Sequence, residues 1–303
     1  MRDVLVLGGA RTPFGRFGGA LKDIGAVGLG TAALEAALAR SRVEAARIDN
    51  VVVGNVIQTG EDFAYLSRHI ALAAGIPQTA PAMGVNRLCG SGMQAVLSAA
   101  HAIALGESEL GAAGGTEAMS QAPYALRNRF GSGMGTPVLS DTLWETLTDT
   151  YCGTGMAITA ENLAERYNIS REEQDRFSVL SNQRVGEAIA AGHLSEEIVP
   201  VSIPGRKGET VQAAADEHPR PDVLLESLAR LPARFKTPGT VTAGNASGIN
   251  DGAAMLVLAS EAAARDQRPL GRIVSSAVVG VDPHVMGIGP APASRLALKR
   301  ANL

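Results

Sequence analysis

The segment that decides the fold is Asn86-Arg87-Leu88-Cys89-Gly90-Ser91-Gly92-Met93-Gln94-Ala95. The apolar residues 82–85 before it predict a strand, and the helix-forming residues 93–105 predict a helix. Its two glycines permit a sharp turn and leave room for a ligand beside the backbone. Cys89 would then lie at the amino end of a helix, where free N–H groups favour a thiolate and polarise the carbonyl that the sulfur attacks. The segment therefore predicts a covalent nucleophile, although an isolated cysteine is more often an inert, buried side chain.

The composition of the 303-residue chain is typical of a folded enzyme, with 46% hydrophobic and 19% charged residues. A net charge of −3 gives no electrostatic reason to expect nucleic acid or an anionic membrane as a partner. The apolar stretches are too short or too interrupted to predict a membrane span, and no secretory leader precedes Val4. Because the two cysteines, Cys89 and Cys152, do not form the framework of a disulfide-rich domain, we expect a cytoplasmic protein.

Strand-like and helix-like segments alternate along the chain, which predicts an α/β sheet covered by helices on both faces. The helix over residues 95–105 has almost no polar face and should be buried between layers. The expected strands are 3–7 (ended by glycines 8 and 9), 50–56, 82–85, 254–259 and 272–281, and the expected helices are 27–39, 71–74, 93–105, 159–167, 171–192, 221–231 and 293–300.

Residues 86–95 resemble the acyl-accepting cysteine motif of the thiolases, the acyl-CoA acyltransferases that make or cleave 3-ketoacyl-CoA. Other thiolase-like segments follow in the family's order: 11–15 (Arg-Thr-Pro-Phe-Gly), 114–120, 159–162, 170–175, 239–254 and 280–290. The segment 239–254, which contains Thr-Ala-Gly-Asn-Ala-Ser-Gly, is the most specific of these. It separates the chain from β-ketoacyl synthases, which share the fold and a nucleophilic cysteine. The resemblance extends from one end of the chain to the other.

The resemblance implies a layered αβαβα fold of the thiolase type, with an inserted loop domain that clamps coenzyme A. By the same resemblance, residues 1–120 form the N-terminal sheet domain and 121–240 the loop domain. Residues 241–268 return to the first sheet, and 269–303 only begin a second, similar sheet domain. A homodimer or homotetramer is implied as well, with the strand around 111–119 and the turn 86–92 near the two-fold interface.

The resemblance also assigns roles to individual residues. Cys89 accepts the acyl group in an acetyl-CoA C-acetyltransferase type of reaction, and coenzyme A or acyl-CoA is the substrate, with no permanently bound cofactor. Ser247 matches a residue that hydrogen-bonds the pantetheine arm, and Ala243 a backbone contact to it. Arg220 and Ser227 match residues near the adenine nucleotide. No metal is expected, because His, Cys, Asp and Glu do not show ligand spacing.

Three thiolase segments are missing from the sequence, which stops at Leu303: Asn-Glu-Ala-Phe, Gly-His-Pro and a second cysteine in a glycine-rich turn. None of the five histidines has the Gly-His-Pro setting, and Cys152 reads as a partly buried loop thiol. We therefore expect the 303-residue chain alone to be a poor catalyst. A non-catalytic acyl-CoA-binding or scaffolding relative stays open as the alternative. Gly155-Met156-Ala157 replaces the His-Met-Gly of many short-chain thiolases, which leaves chain-length preference open.

Overall fold

The computed structural model describes residues 2–131, 134, 136–205, 208–265 and 267–303. Its strands are β1 Val4–Arg11, β2 Gly15–Arg16, β3 Asn50–Gly54, β4 Ala82–Val85, β5 Leu110–Ala118, β6 Tyr124–Leu126, β7 Leu139–Asp141, β8 Thr148–Asp149, β9 Thr154–Gly155, β10 Val201–Pro204, β11 Thr210–Ala213, β12 Asn250–Ser260 and β13 Gly271–Arg272. Its α-helices are α1 Ala26–Ser41, α2 Leu66–Ala73, α3 Ser91–Leu105, α4 Thr142–Thr146, α5 Met156–Tyr167, α6 Arg171–Ala190, α7 Leu225–Ala229 and α8 Pro290–Arg300.

The chain divides into two compact units. The sheet unit comprises Met1–Ala122, Leu194–His218 and Ile249–Val274, and the helical unit comprises Pro123–His193, Pro219–Gly248 and Ser275–Leu303. Residues 194–218 belong to the sheet unit, although the sequence placed them in the loop domain. The reason is a set of contacts to β1: the Arg11 guanidinium donates to both carboxylate oxygens of Asp216, at 2.7 and 2.9 Å. The domain boundaries derived from the sequence stay predictions.

The sheet unit is built on one mixed sheet with the strand order β13-β1-β12-β5-β3-β4, and β2 pairs with β12. The strands β5, β3 and β4 run parallel to one another, whereas β12 is antiparallel to both β1 and β5. The parallel part carries the nucleophile segment, because α3 follows directly after β4. Helix α3 packs mainly on β5 and β3.

Both faces of this sheet are covered, as the sequence predicts. Along β3, Val51 and Val53 belong to one buried cluster and Val52 to the other, since successive side chains of a strand point to opposite faces. Helices α1 and α2 cover the first face and α3 covers the second.

Helix α3 is buried on one face only, contrary to the expectation that it lies between layers. Its buried residues are Ser91, Ala95, Leu97, Ala99, Ala100 and Ile103, while Met93 and Leu105 are about 70% exposed. Among the described residues, Leu88–Leu105 is long and apolar enough by composition to cross a membrane, with a mean hydropathy of 1.4. This criterion rests on length and composition alone, so the expectation of no membrane span stays a prediction. The core helix of a soluble protein meets the same criterion.

The predicted strands 3–7 and 272–281 differ most from the observed strands. Strand β1 does not end at glycines 8 and 9 but continues to Arg11, past a register shift between Val6 and Gly8. The predicted strand 272–281 is reduced to β13. Strand β13 runs antiparallel to β1, which begins at Val4, so the pairing of these two strands ends where the Ile273 N–H reaches the Val4 carbonyl.

The helical unit contains the helices predicted at 159–167 and 171–192. Helix α6 begins with a capping box: the Ser170 hydroxyl accepts from the Glu173 N–H, and the Glu173 carboxylate accepts from the Ser170 N–H. In place of the helix predicted over 221–231, the structure has only the shorter helix α7.

Candidate active site

Cys89 lies in the turn between β4 and α3, and its side chain is exposed. Two polar side chains fix this turn. The Asn86 Oδ1 accepts from the Leu88 N–H at 2.9 Å, and the Ser91 hydroxyl accepts from the Arg87 N–H at 2.9 Å while it donates to the Leu88 carbonyl at 2.6 Å. The turn therefore presents the thiol to the surface, as a nucleophile requires.

The left-handed residue of this turn is not one of its glycines. The residue in the left-handed region is Leu88, with φ of 49°, whereas Gly90 has φ of −88°. Two glycines outside the segment, Gly54 of β3 and Gly115 of β5, allow a close approach of the helix to the sheet. A Cβ on Gly54 would lie 2.4 Å from the Ser91 carbonyl carbon, and one on Gly115 would lie 3.3 Å from the Gly92 Cα. The start of α3 thus rests almost directly on the backbone of β3 and β5.

The first turn of α3 provides the electrostatic part of the site. Within the described part of the chain, the backbone N–H groups of Gly92 and Met93 have no hydrogen-bond acceptor, and the first turn contains no acidic side chain. An uncapped helix start carries partial positive charge, which stabilises an anion beside it. This end of α3 is suited to a thiolate or to the oxyanion of an attacked thioester.

One carboxylate, to which the sequence analysis gave no role, contacts the segment that follows β3. Glu117, at the end of β5, accepts hydrogen bonds from the Asn55 side chain and from the N–H groups of Val56 and Ile57. Burial raises the pKa of its carboxyl group, and the three hydrogen bonds oppose that rise.

The four residues assigned to coenzyme A all lie in the helical unit, and their side chains are exposed. Ser227 is on α7, and Ala243 and Ser247 are on the loop that follows residue 240. The backbone N–H of Arg220 donates to the Asn182 Oδ1 of α6 at 2.8 Å, so the guanidinium of Arg220 takes no part in this hydrogen bond. The structure thus brings the four residues into one unit.

The loop that bears Ala243 is held by two buried carboxylates. Glu161 of α5 accepts from the N–H groups of Thr240 and Val241 at 2.7 to 2.9 Å. Asp175 of α6 accepts from the Asn245 side chain at 2.9 Å. Burial opposes ionisation of Glu161, but the hydrogen bonds from Val241 and Thr240 outweigh it, so the pKa of Glu161 is lowered.

Asp175 also pairs with Arg171, whose guanidinium donates to the carbonyls of Leu228 and Leu231 at 2.7 and 2.9 Å. One network therefore supports both α7 and the loop. Sequence reasoning quoted Glu161 and Asp175 within matching segments without giving them a role. The sequence showed only that each segment contains an acidic residue. That these two carboxylates are buried, and therefore structural, is visible only in the folded chain.

Comparison with known proteins identifies the family. The family description "Thiolase, N-terminal domain" matches residues 4–262. The chain belongs to the thiolase family.

Individual thiolases are similar to this chain over its whole length. Bovine mitochondrial 3-ketoacyl-CoA thiolase is 49% identical over 308 residues, a match that covers 100% of this chain and 77% of the relative. Beta-ketothiolase BktB of Cupriavidus necator is 47% identical, with the same coverage. The crystal structure of human mitochondrial 3-ketoacyl-CoA thiolase superposes with a TM-score of 0.97 at 47% identity, covering 100% of this chain and 77% of that one. The predicted thiolase fold is confirmed.

The predicted cytoplasmic location is wrong by this comparison, because the bovine and human relatives are mitochondrial thiolases. The physical argument behind it was too weak, since unpaired cysteines are compatible with any reducing compartment.

The remaining candidate groups of this thiolase are placed as follows. Cys152, in the turn between β8 and β9, is partly exposed and its Sγ contacts the Thr154 hydroxyl. His69 stacks on Tyr65 and contacts Asp62, and His284 contacts Asp282. Over the described residues, no three His, Cys, Asp or Glu side chains are grouped to hold a metal ion.

Proposed function

We propose that this thiolase transfers acyl groups between coenzyme A thioesters through an acyl-Cys89 intermediate, in the manner of an acetyl-CoA C-acetyltransferase. The Cys89 sulfur attacks the thioester carbonyl, a new C–S bond forms, and the bond to coenzyme A breaks. Coenzyme A leaves as the thiol, with the proton that Cys89 gives up. A second acyl-CoA that has lost an α-proton, or coenzyme A that has lost its thiol proton, then forms a bond to the acyl carbon. The bond from that carbon to the Cys89 sulfur breaks, and the released Cys89 thiolate regains the proton that the second substrate gave up. The observation that carries the proposal is the exposed Cys89 beside the unpaired N–H groups of Gly92 and Met93.

Coenzyme A binding is assigned to Arg220, Ser227, Ala243 and Ser247. Their exposure in one unit, and the buried network that holds their segments, support this assignment. The human thiolase has a crystal structure in complex with CoA that superposes on this chain with a TM-score of 0.95 at 48% identity.

We propose a homo-oligomer that forms through β4 rather than through the strand around residues 111–119. Strand β5, which contains those residues, has neighbours on both sides, whereas β4 is an edge strand. Met83 of β4 is 48% exposed, and an exposed apolar edge strand favours pairing with another chain.

The test of acyl transfer uses the 303-residue chain with acetyl-CoA, and intact-protein and peptide mass spectrometry locate any acetyl group. Wild type and Cys152→Ser should gain one acetyl group on Cys89, and Cys89→Ser should gain none on a cysteine. Iodoacetamide near neutral pH should modify the exposed Cys89 faster than Cys152, and coenzyme A should slow it less in Ser247→Ala than in wild type.

The alternative is an acyl-CoA-binding protein without turnover. It would show protection of Cys89 by coenzyme A but no acetyl-Cys89. Acetylation of Cys152 instead of Cys89, or equal alkylation of the two cysteines, would contradict the assignment of the nucleophile.

A further inference from the structure

Glu117 is a partly buried carboxylate that acyl transfer as proposed does not use. Its Oε2 accepts from the Val56 N–H at 2.9 Å, and its Oε1 accepts from the Ile57 N–H and from the Asn55 Nδ2, both at 3.0 Å. The described residues contain no ion-pair partner for it. Three N–H donors therefore take the place of a counter-ion, and all three belong to the segment that leaves β3.

The segment 55–57 is connected to the nucleophile turn. The Asn55 N–H donates to the Val85 carbonyl at the end of β4, at 3.2 Å. The Val56 carbonyl accepts from the Asn86 Nδ2 at 3.5 Å. Both contacts lie within four residues of Cys89.

Asn86 carries the connection to the nucleophile. Its Oδ1 accepts from the Leu88 N–H at 2.9 Å, and Leu88 has a left-handed backbone, with φ of 49°, directly before Cys89. A leucine in this region is strained, so outside contacts must hold it there. The Asn86 side chain, with one end on Leu88 and the other on Val56, is such a contact.

We propose that Glu117 is a positioning residue for the nucleophile: its carboxylate holds residues 55–57, and through Asn86 it maintains the Leu88 conformation that directs the Cys89 thiol. Both carboxylate oxygens are needed, because an amide in the same place would turn an NH2 group toward the Val56 N–H. The inference rests on the proposed role of Cys89 as the acyl acceptor.

The test measures the rate of Cys89 alkylation by iodoacetamide and the rate of Cys89 acetylation by acetyl-CoA. The variants are Glu117→Gln, Glu117→Ala, Asn86→Ala and the double variant Glu117→Ala/Asn86→Ala, each checked for native circular dichroism. Glu117→Ala should slow both reactions about tenfold, since it leaves three donors without an acceptor. Glu117→Gln keeps one oxygen and should restore part of the rate.

The double variant should react no more slowly than Asn86→Ala alone, because both substitutions interrupt one chain of contacts. Asp49 offers a matched control. Its carboxylate accepts from the N–H groups of Glu109 and Leu110, at the opposite end of β5. Asp49→Asn should change stability but leave both Cys89 rates within twofold of wild type.

Three results would each overturn the inference. They are wild-type rates in Glu117→Ala, additive losses in the double variant, and an equal loss in Asp49→Asn, which would mean a general effect of stability. The proposed function fails separately: wild-type Cys89 would then be alkylated but never acetylated, and the alkylation rates alone would still decide whether Glu117 positions the thiol.

Discussion

Substitution of Gly54 by alanine tests the close contact between the start of α3 and the sheet. A Cβ on Gly54 would lie 2.4 Å from the Ser91 carbonyl carbon and 2.6 Å from the Gly92 nitrogen, both of them backbone atoms. Backbone cannot swing aside as a flexible side chain does. The helix start, together with the Cys89 turn, must move away from β3.

The size of the effect follows from these distances. Ordinary contact begins near 3.4 Å, so the first turn of α3 has to move by about 1 Å. Overpacking of this kind costs about 1–3 kcal/mol of folding free energy. The Gly54→Ala variant should therefore be less stable by that amount, and its Cys89 should react with iodoacetamide at an altered rate.

Gly92 is the matched control, because it lies on the other side of the same contact. A Cβ there would meet nothing closer than the Gly115 nitrogen at 3.9 Å, which is ordinary contact. Gly92 is helical, so Gly92→Ala should be neutral or stabilising by up to about 1 kcal/mol. Urea unfolding, followed by circular dichroism, measures the unfolding free energy of both variants. The two values can be compared if the slope of free energy against urea concentration is the same in both.

Equal stability of Gly54→Ala and Gly92→Ala would refute the packing of α3 on β3. A destabilised Gly54→Ala with an unchanged rate of Cys89 alkylation would refute the narrower claim that this contact sets the position of the nucleophile turn.

Two further predictions concern the helical unit and the assembly. The pKa of Glu161 is lowered from the ordinary 4.5, so its hydrogen bonds stabilise the fold fully above pH 4.5 and less as the pH falls through the folded pKa. The Glu161→Gln variant should lose about 1–3 kcal/mol of unfolding free energy at pH 7. Below pH 4.5 its stability should fall less steeply with pH than that of wild type, as measured by urea unfolding across that range. A variant with the wild-type acid profile would contradict this. Met83→Lys should shift the protein toward monomer in light scattering at micromolar concentration, because a charge on β4 opposes edge pairing. Leu105→Lys places the same charge at an even more exposed apolar position, on α3 rather than on β4, and should not shift the protein toward monomer.

Cys89 could be proposed as the nucleophile from sequence because the signals that indicate it are local. A strand, a glycine-containing turn and a helix follow one another within residues 82–105, and all three occur where expected. The helices of the loop region were predictable for the same reason, as the Ser170 and Glu173 capping box shows. Cys89 stands out within such a segment because a packing cysteine needs no glycine-opened turn around it.

The sequence alone determined the fold class, the alternation of strands and helices, and Cys89 as the candidate nucleophile, because these depend on residues close together in the chain. Only the tertiary structure decided that glycines serve the approach of α3 to β3 and β5, and that Leu88 takes the left-handed conformation. It also showed which backbone N–H groups Glu117 and Glu161 accept from. Glu161 meets Val241 across 80 positions of the chain, and Glu117 meets Ile57 across 60. No local pattern reports such contacts, since a carboxylate in a helix or strand looks like a solvated charge until folding removes the water around it.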